Sequence, residues 1–170
     1  MNDMTFEFRD IIVDMDGTLA NISKRLAMAK KNPPPGKTMD WDIFLDKKIM
    51  ELYDTPNEHV VHLVKMIHNT HNVPALINHG EHRIIITSAR NERHREVTTN
   101  QLLKWGINFD KLYLRADDDF RPDEITKAEI FNQILADGYM PRIAIDDRNK
   151  VVKMWRGLGL HCWQVEETDV

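Results

Sequence analysis

The amino-acid sequence predicts an α/β fold, a doubly wound (Rossmann-like) parallel sheet. Three observations support this. Compact apolar runs recur along the chain, helical patterns separate them, and polar residues follow the runs directly. The runs occupy residues 11–13, 84–86, 112–114, 143–145 and 162–165, each short and apolar enough for a strand covered on both faces.

The helices follow in order. Thr55, Pro56 and Glu58 supply a capping residue, a first-turn proline and the return partner of a capping box. Val60, Leu63, Val64 and Ile67 then recur at helical spacing, which predicts a helix over 56–69. Residues 92–105 form a second helix on a weaker period, resting on Val97, Leu102 and Leu103. Pro122, Asp123 and Glu124 open a third, with an expected buried stripe of Ile125, Ala128, Phe131, Ile134 and Leu135 before Gly138. The last runs over 148–157, turning Val151, Trp155 and Leu158 inward and ending at Gly157 and Gly159.

Composition sets the class. With 170 residues, 42% of them hydrophobic and 29% charged, the chain suits one core and a single domain over 1–170. A net charge of −4 argues against a large duplex-binding surface of the sequence-independent kind. The start, "MNDMTFEFRD", has neither a basic nor an apolar leader, and no apolar run approaches membrane-spanning length. Export and membrane partners are therefore not expected. The lone Cys162 cannot form an internal disulfide, and a cytoplasmic location is expected.

In open parallel sheets ligands bind beyond the carboxyl ends of the strands, and the conspicuous polar residues all fall there. Asp14 and Asp16 follow the first run, "TSAR" (87–90) the second, "RADDDFRPD" (115–123) the third, and Asp146 with Asp147 the fourth. Side chains two apart on an extended backbone share a side, so Asp14 and Asp16 can converge on one atom. Gly17 permits the sharp departure that follows. Four carboxylates at one edge would repel an anionic substrate unless a cation intervened, and Mg²⁺ suits oxygen ligands of this kind. A carboxylate can also act as a nucleophile, forming an aspartyl-phosphate, while a second moves the proton. Lys127 and Ser88 could hold the equatorial oxygens of the phosphate.

"DMDGT", a serine after the second strand, a lysine on a later helix and "DD" after the next strand together resemble the four motifs of the haloacid dehalogenase superfamily. The tail, "AIDDR", "VVKMWR" and "CWQV", is similar to the 3′-phosphatase domain of phage-type polynucleotide kinase/phosphatase, a likeness that extends with one gap from about Asp10 to Val165. The resemblance implies Asp14 as nucleophile and Asp16 as general acid–base. It also implies that Arg25, Ser88, Arg90, Asp123 and Lys127 serve the phosphate. Mg²⁺ would be held by Asp14, the Asp16 carbonyl and Asp146, with Asp147 nearby or acting through water. The implied reaction is removal of a 3′-phosphate from a DNA or RNA end, in a host cytoplasm if the chain is phage-encoded. Two alternatives remain open: a phosphatase for nucleoside monophosphates or other small phosphoesters, and a non-catalytic module binding nucleic-acid ends or a protein partner. A homo-oligomer is neither implied nor excluded.

The chain departs from this pattern twice. Residues 26–54 form a longer connection, a cap-like insertion that bears on substrate choice. No kinase half is expected: "PPPGKT" ends like a phosphate loop, yet Lys31 stands where the first glycine belongs and the prolines remove backbone donors. That stretch reads as a stiff connector.

Simpler roles compete for several residues. Asp146 and Asp147 could cap the helix that follows. Asp117 to Asp119 reads as an exposed acidic turn. The pairs His68 with His71 and His79 with His82 lack cysteines and a converging site, and read as surface residues. Phe131, Trp155 and Trp163 are expected in the core. Trp41 and Phe44 would pack the insertion onto the body, or stack on a base.

Overall fold

The structure, a computed structural model, describes residues 9–69 and 82–168. Five parallel strands form its sheet: β1 (Asp10–Asp14), β4 (Arg83–Asn91), β5 (Lys111–Arg115), β6 (Ile143–Arg148) and β7 (His161–Thr168). Two short strands, β2 (Ala20–Asn21) and β3 (Thr55–Pro56), pair antiparallel beside it. The helices are α1 (Ser23–Lys31), α2 (Trp41–Phe44), α3 (Lys47–Tyr53), α4 (Glu58–His68), α5 (Arg95–Lys104), α6 (Asp123–Ala136) and α7 (Asn149–Gly157). Strand order is β5-β4-β1-β6-β7, which places β1 at the centre with its carboxyl end between those of β4 and β6.

The sheet is doubly wound because successive side chains alternate between its faces. Ile11 and Val13 join Val60, Val61, Val64, Leu102 and Ile107 in one core layer. Ile12 points the other way, to Ile85, Ala144, Ile130, Ile134, Val151 and Trp155. Both faces are dry, which is why the runs are apolar at consecutive positions.

All five predicted strands and four predicted helices form, with differences that have local causes. Thr55 and Pro56 are not a helix start: they are drawn into the ladder with Asn21 and Ala20. Asn57 takes the cap position of α4 without a side-chain cap bond, because its amide instead donates to the carbonyls of Gly17 and Thr18. On α6 the buried face is Thr126, Lys127, Ile130, Phe131 and Ile134, whereas Ile125 and Leu135 are exposed. The helix is rotated so that Lys127 points inward. Leu103 on α5 and Leu158 after α7 are likewise exposed. The weak period of α5 has a cause: Thr98 and Gln101, polar residues, sit on its buried face. Trp163, expected in the core, is 48% exposed. It lies on the edge strand β7, whose inward neighbour in sequence is the buried Cys162.

Residues 26–54 fold as α1, α2 and α3 around an exposed connection that contains the proline run. Phe44 packs its ring against the Arg25 guanidinium at 4.3 Å, and Trp41, half exposed, meets Phe44 edge to face. No described helix is long and apolar enough to cross a membrane. His71 and His79 lie outside the described residues.

Candidate active site

The carboxyl ends of β1, β4 and β6, the start of α6 and the far end of β7 meet at one group of charged side chains. Asp14 ends β1 and is buried. From α6, the Lys127 ammonium donates to Asp14 Oδ1 at 2.5 Å and to Asp146 Oδ2 at 2.8 Å. Asp14, Asp146 and Asp147 offer ligand oxygens that all lie within 4.8 Å of one another. Burial, and then the neighbouring Asp146 and Asp147, push the Asp14 carboxyl well above its ordinary range against the pull of Lys127. Burial would lower the Lys127 ammonium, but Asp14 and Asp146 outweigh it and raise it.

Core and backbone hold these groups in place. Asp146 accepts the backbone N–H groups of Asp147 and Arg148 on one oxygen and the Trp155 indole N–H on the other, at 3.1 Å. Asp147 accepts the hydroxyls of Thr18 and Thr168, at 3.2 and 2.7 Å. Neither aspartate caps α7 with its side chain: the cap residue is Arg148, with no side-chain cap bond. Gly17, at φ +90°, crosses so close to Asp147 that a Cβ there would stand 2.3 Å from Oδ2. Only glycine suits that turn.

Asp16 faces a second cluster. Burial would raise its carboxyl, but Arg25 and Arg90 overcome this and hold it well below the usual carboxylate range. Arg25 donates to Asp16 and Asp54, and Arg90 to the same two carboxylates and to Thr98 and Gln101. Both arginines, expected at the phosphate, are thus engaged by carboxylates in this structure. All five Arg90 N–H groups are matched to protein acceptors, so its planar fork positions Asp16 and fastens α5. Ser88 is buried and its hydroxyl oxygen accepts the Arg90 backbone N–H. Asp123 accepts from Arg115, which is buried against the carbonyls of Ala89 and Arg121, and from Arg148, which lies within the field of Asp14 and Asp16.

Several of these residues carried no sequence signal. Asp54 lies 40 positions from Asp14 and Thr168 stands outside the motifs, while Arg115 opens the polar stretch 115–123 without any sign of its partners. Thr18 and Arg148 close the motifs "DMDGT" and "AIDDR", but nothing in the sequence assigned either a partner. Of the acidic turn, Asp117 and Asp118 are exposed, while Asp119 binds Arg121 and Thr126. It borders an open cavity of about 710 Å³ beside α6, which Phe120 and Arg121 also line.

A divalent cation suits the main cluster. Three carboxylates face one ammonium, and Asp14 Oδ2 is buried without a hydrogen-bond partner, an oxygen left open to a cation. The donors are hard oxygens of the kind Mg²⁺ takes.

Comparison with known proteins places the fold and the family. A chain in the structure of a Pnkp1/Rnl/Hen1 complex superposes with a TM-score of 0.70 at 28% identity, over 96% of this chain and 48% of the other. A second, from the Pnkp1/Rnl/Hen1 RNA repair complex, gives 0.69 at 27% identity, over 100% and 48%. The chain thus spans about half the length of these relatives. A haloacid dehalogenase-like family hydrolase from Streptococcus pneumoniae shares the fold at 15% identity, with a TM-score of 0.59 over 95% and 88%. The family model for the polynucleotide kinase PNKP phosphatase domain matches residues 9–170, and the chain belongs to that family of haloacid dehalogenase-type phosphatases.

Proposed function

We propose that the chain removes the terminal 3′-phosphate from a nucleic-acid end through an aspartyl-phosphate. The observation that carries the chemistry is the Asp14–Lys127–Asp146 arrangement, with one Asp14 oxygen unpartnered at the strand end. Family membership and the likeness to chains of an RNA repair complex support the nucleic-acid end as substrate.

In this proposal Asp14 attacks phosphorus, and the bond to the leaving 3′ oxygen breaks as Asp16 gives that oxygen a proton. Asp16 then takes a proton from the water that hydrolyses the intermediate. Arg25 and Arg90 keep Asp16 ionised in the structure. An arriving phosphate places negative charge beside it and raises its proton affinity, so Asp16 takes from solvent, before the step, the proton it later gives to the leaving oxygen. Lys127 and Ser88 steady the phosphoryl oxygens, and Arg148, aligned by Asp123, supplies positive charge beside them. Asp14, Asp146 and Asp147, with the Asp16 carbonyl, would hold Mg²⁺, which would offset the charge of the transferring group. Residues 26–54 act as the cap, joined to the reaction by Arg25, which binds Phe44 and Asp54 of the insertion and Asp16 of the site.

The test is phosphate release, with Mg²⁺ and with EDTA, from a 3′-phosphorylated oligonucleotide beside 3′- and 5′-nucleoside monophosphates. Mg²⁺-dependent preference for the oligonucleotide is expected. Preference for mononucleotides would move the substrate to a small phosphoester, and no turnover of any phosphoester would leave a binding module. Asp14→Asn should lower turnover at least about 10⁴-fold while the protein stays folded. Substantial residual hydrolysis would remove Asp14 as nucleophile.

A further inference from the structure

We propose that Thr168, at the end of β7, is a positioning residue that sets the affinity of the acidic cluster for Mg²⁺; the inference rests on the metal reading above. Its hydroxyl donates to Asp147 Oδ2 at 2.7 Å, the shorter of the two hydroxyl bonds this carboxylate accepts. Thr18 takes Oδ1 from the β1 side and Gln164 donates to the Asp147 carbonyl at 2.9 Å, so the residue is gripped from both flanks.

The ladder between β6 and β7 shows how Thr168 arrives there. Asp146 is opposite Gln164, yet Arg148 is opposite Thr168, so two steps of β6 are answered by four of β7. In an unbroken ladder Glu166 would stand opposite Arg148. The irregularity removes a carboxylate from beside the acidic cluster and delivers a hydroxyl, as bulges do when they re-aim a side chain. An ionised carboxylate has about four acceptor sites, and the two hydroxyls leave capacity for a cation. They also fix the orientation in which Asp147 meets it. Outer partners of this kind typically change metal affinity about 10- to 100-fold when removed.

The test is titration calorimetry of the full chain with Mg²⁺ alone, without substrate, for wild type, Thr168→Val and Thr168→Ser. Thr168→Val should bind about tenfold more weakly and Thr168→Ser like wild type. All three should stay folded and melt cooperatively in EDTA, Thr168→Val a few degrees lower at most, which separates positioning from a general loss of fold. Wild-type affinity in a folded Thr168→Val protein would overturn this inference alone. A wild-type chain that binds no Mg²⁺ would overturn it together with the metal reading. Thr168→Ala serves as a second deletion of the hydroxyl should the valine variant melt early, and is held to the same outcomes.

Discussion

Arg90 shows how much one side chain can organise. It is 1% exposed and spends its whole guanidinium on Asp16, Asp54, Thr98 and Gln101, joining the acid–base candidate to the insertion and to α5. A lysine has the charge but not the fork, so it could satisfy only part of this set. Arg90→Lys should therefore destabilise the protein by about 2 kcal/mol: Arg25 still holds Asp16 and Asp54, but the buried Gln101 oxygen and the second oxygen of Asp54 lose donors. Denaturant unfolding checks this, and a loss under about 1 kcal/mol would show that lysine and water rebuild the network. The spacing of "TSAR" placed Arg90 at the site but could not show its partners, because Asp54 and Gln101 arrive from distant parts of the chain.

At the scale of elements, the insertion is held to the body by side chains from α5 and the turn before it. Gln101 donates to the Met50 carbonyl of α3, and His94 Nε2 meets the Leu45 carbonyl at the end of α2. Burial lowers the His94 imidazole below its ordinary 6.5. The unfolded chain then binds a proton in a range where the folded one does not. The stability His94 contributes is present above about pH 6.5 and is lost as pH falls through the unfolded and then the folded value. Melting temperature should fall more steeply between about pH 7 and 5.5 in wild type than in His94→Asn. Equal slopes would place that pH dependence on the carboxylates. The elements themselves were legible wherever one period dominated: the five runs became strands and Val60 to Ile67 a helix. The reading failed where a polar duty overrode the period. Lys127 rotates α6 away from the stripe that Ile125 and Leu135 suggested, and Asn57 ties down the loop after β1 in place of a capping box. Asp14, Asp146 and Lys127 were legible as a set because the topology that joins them is fixed by strand alternation. The ion pairs around Asp16 depend on how three short helices pack, which no local pattern encodes.

At the scale of the molecule, three buried carboxylates crowd one another beside Lys127, and their mutual repulsion is what a divalent cation would relieve. A cation that binds the folded state alone should stabilise it, by about 2.7 kcal/mol at 100 times its dissociation constant. Mg²⁺ should accordingly raise the melting temperature over that in EDTA, and Asp146→Asn should abolish most of the rise. A melt indifferent to Mg²⁺ would place the ion elsewhere or nowhere. The central position of β1 has a further consequence, for synthesis. Its partners are β4 and β6, so the edge carrying Ile11, Ile12 and Val13 finds no neighbour until residues 83–91 have left the ribosome, and its second only at 143–148. Until then an apolar strand with open backbone groups is exposed to other chains. The hazard of aggregation thus falls on the nascent polypeptide, and slower translation of the residues between β1 and β4 should lengthen it.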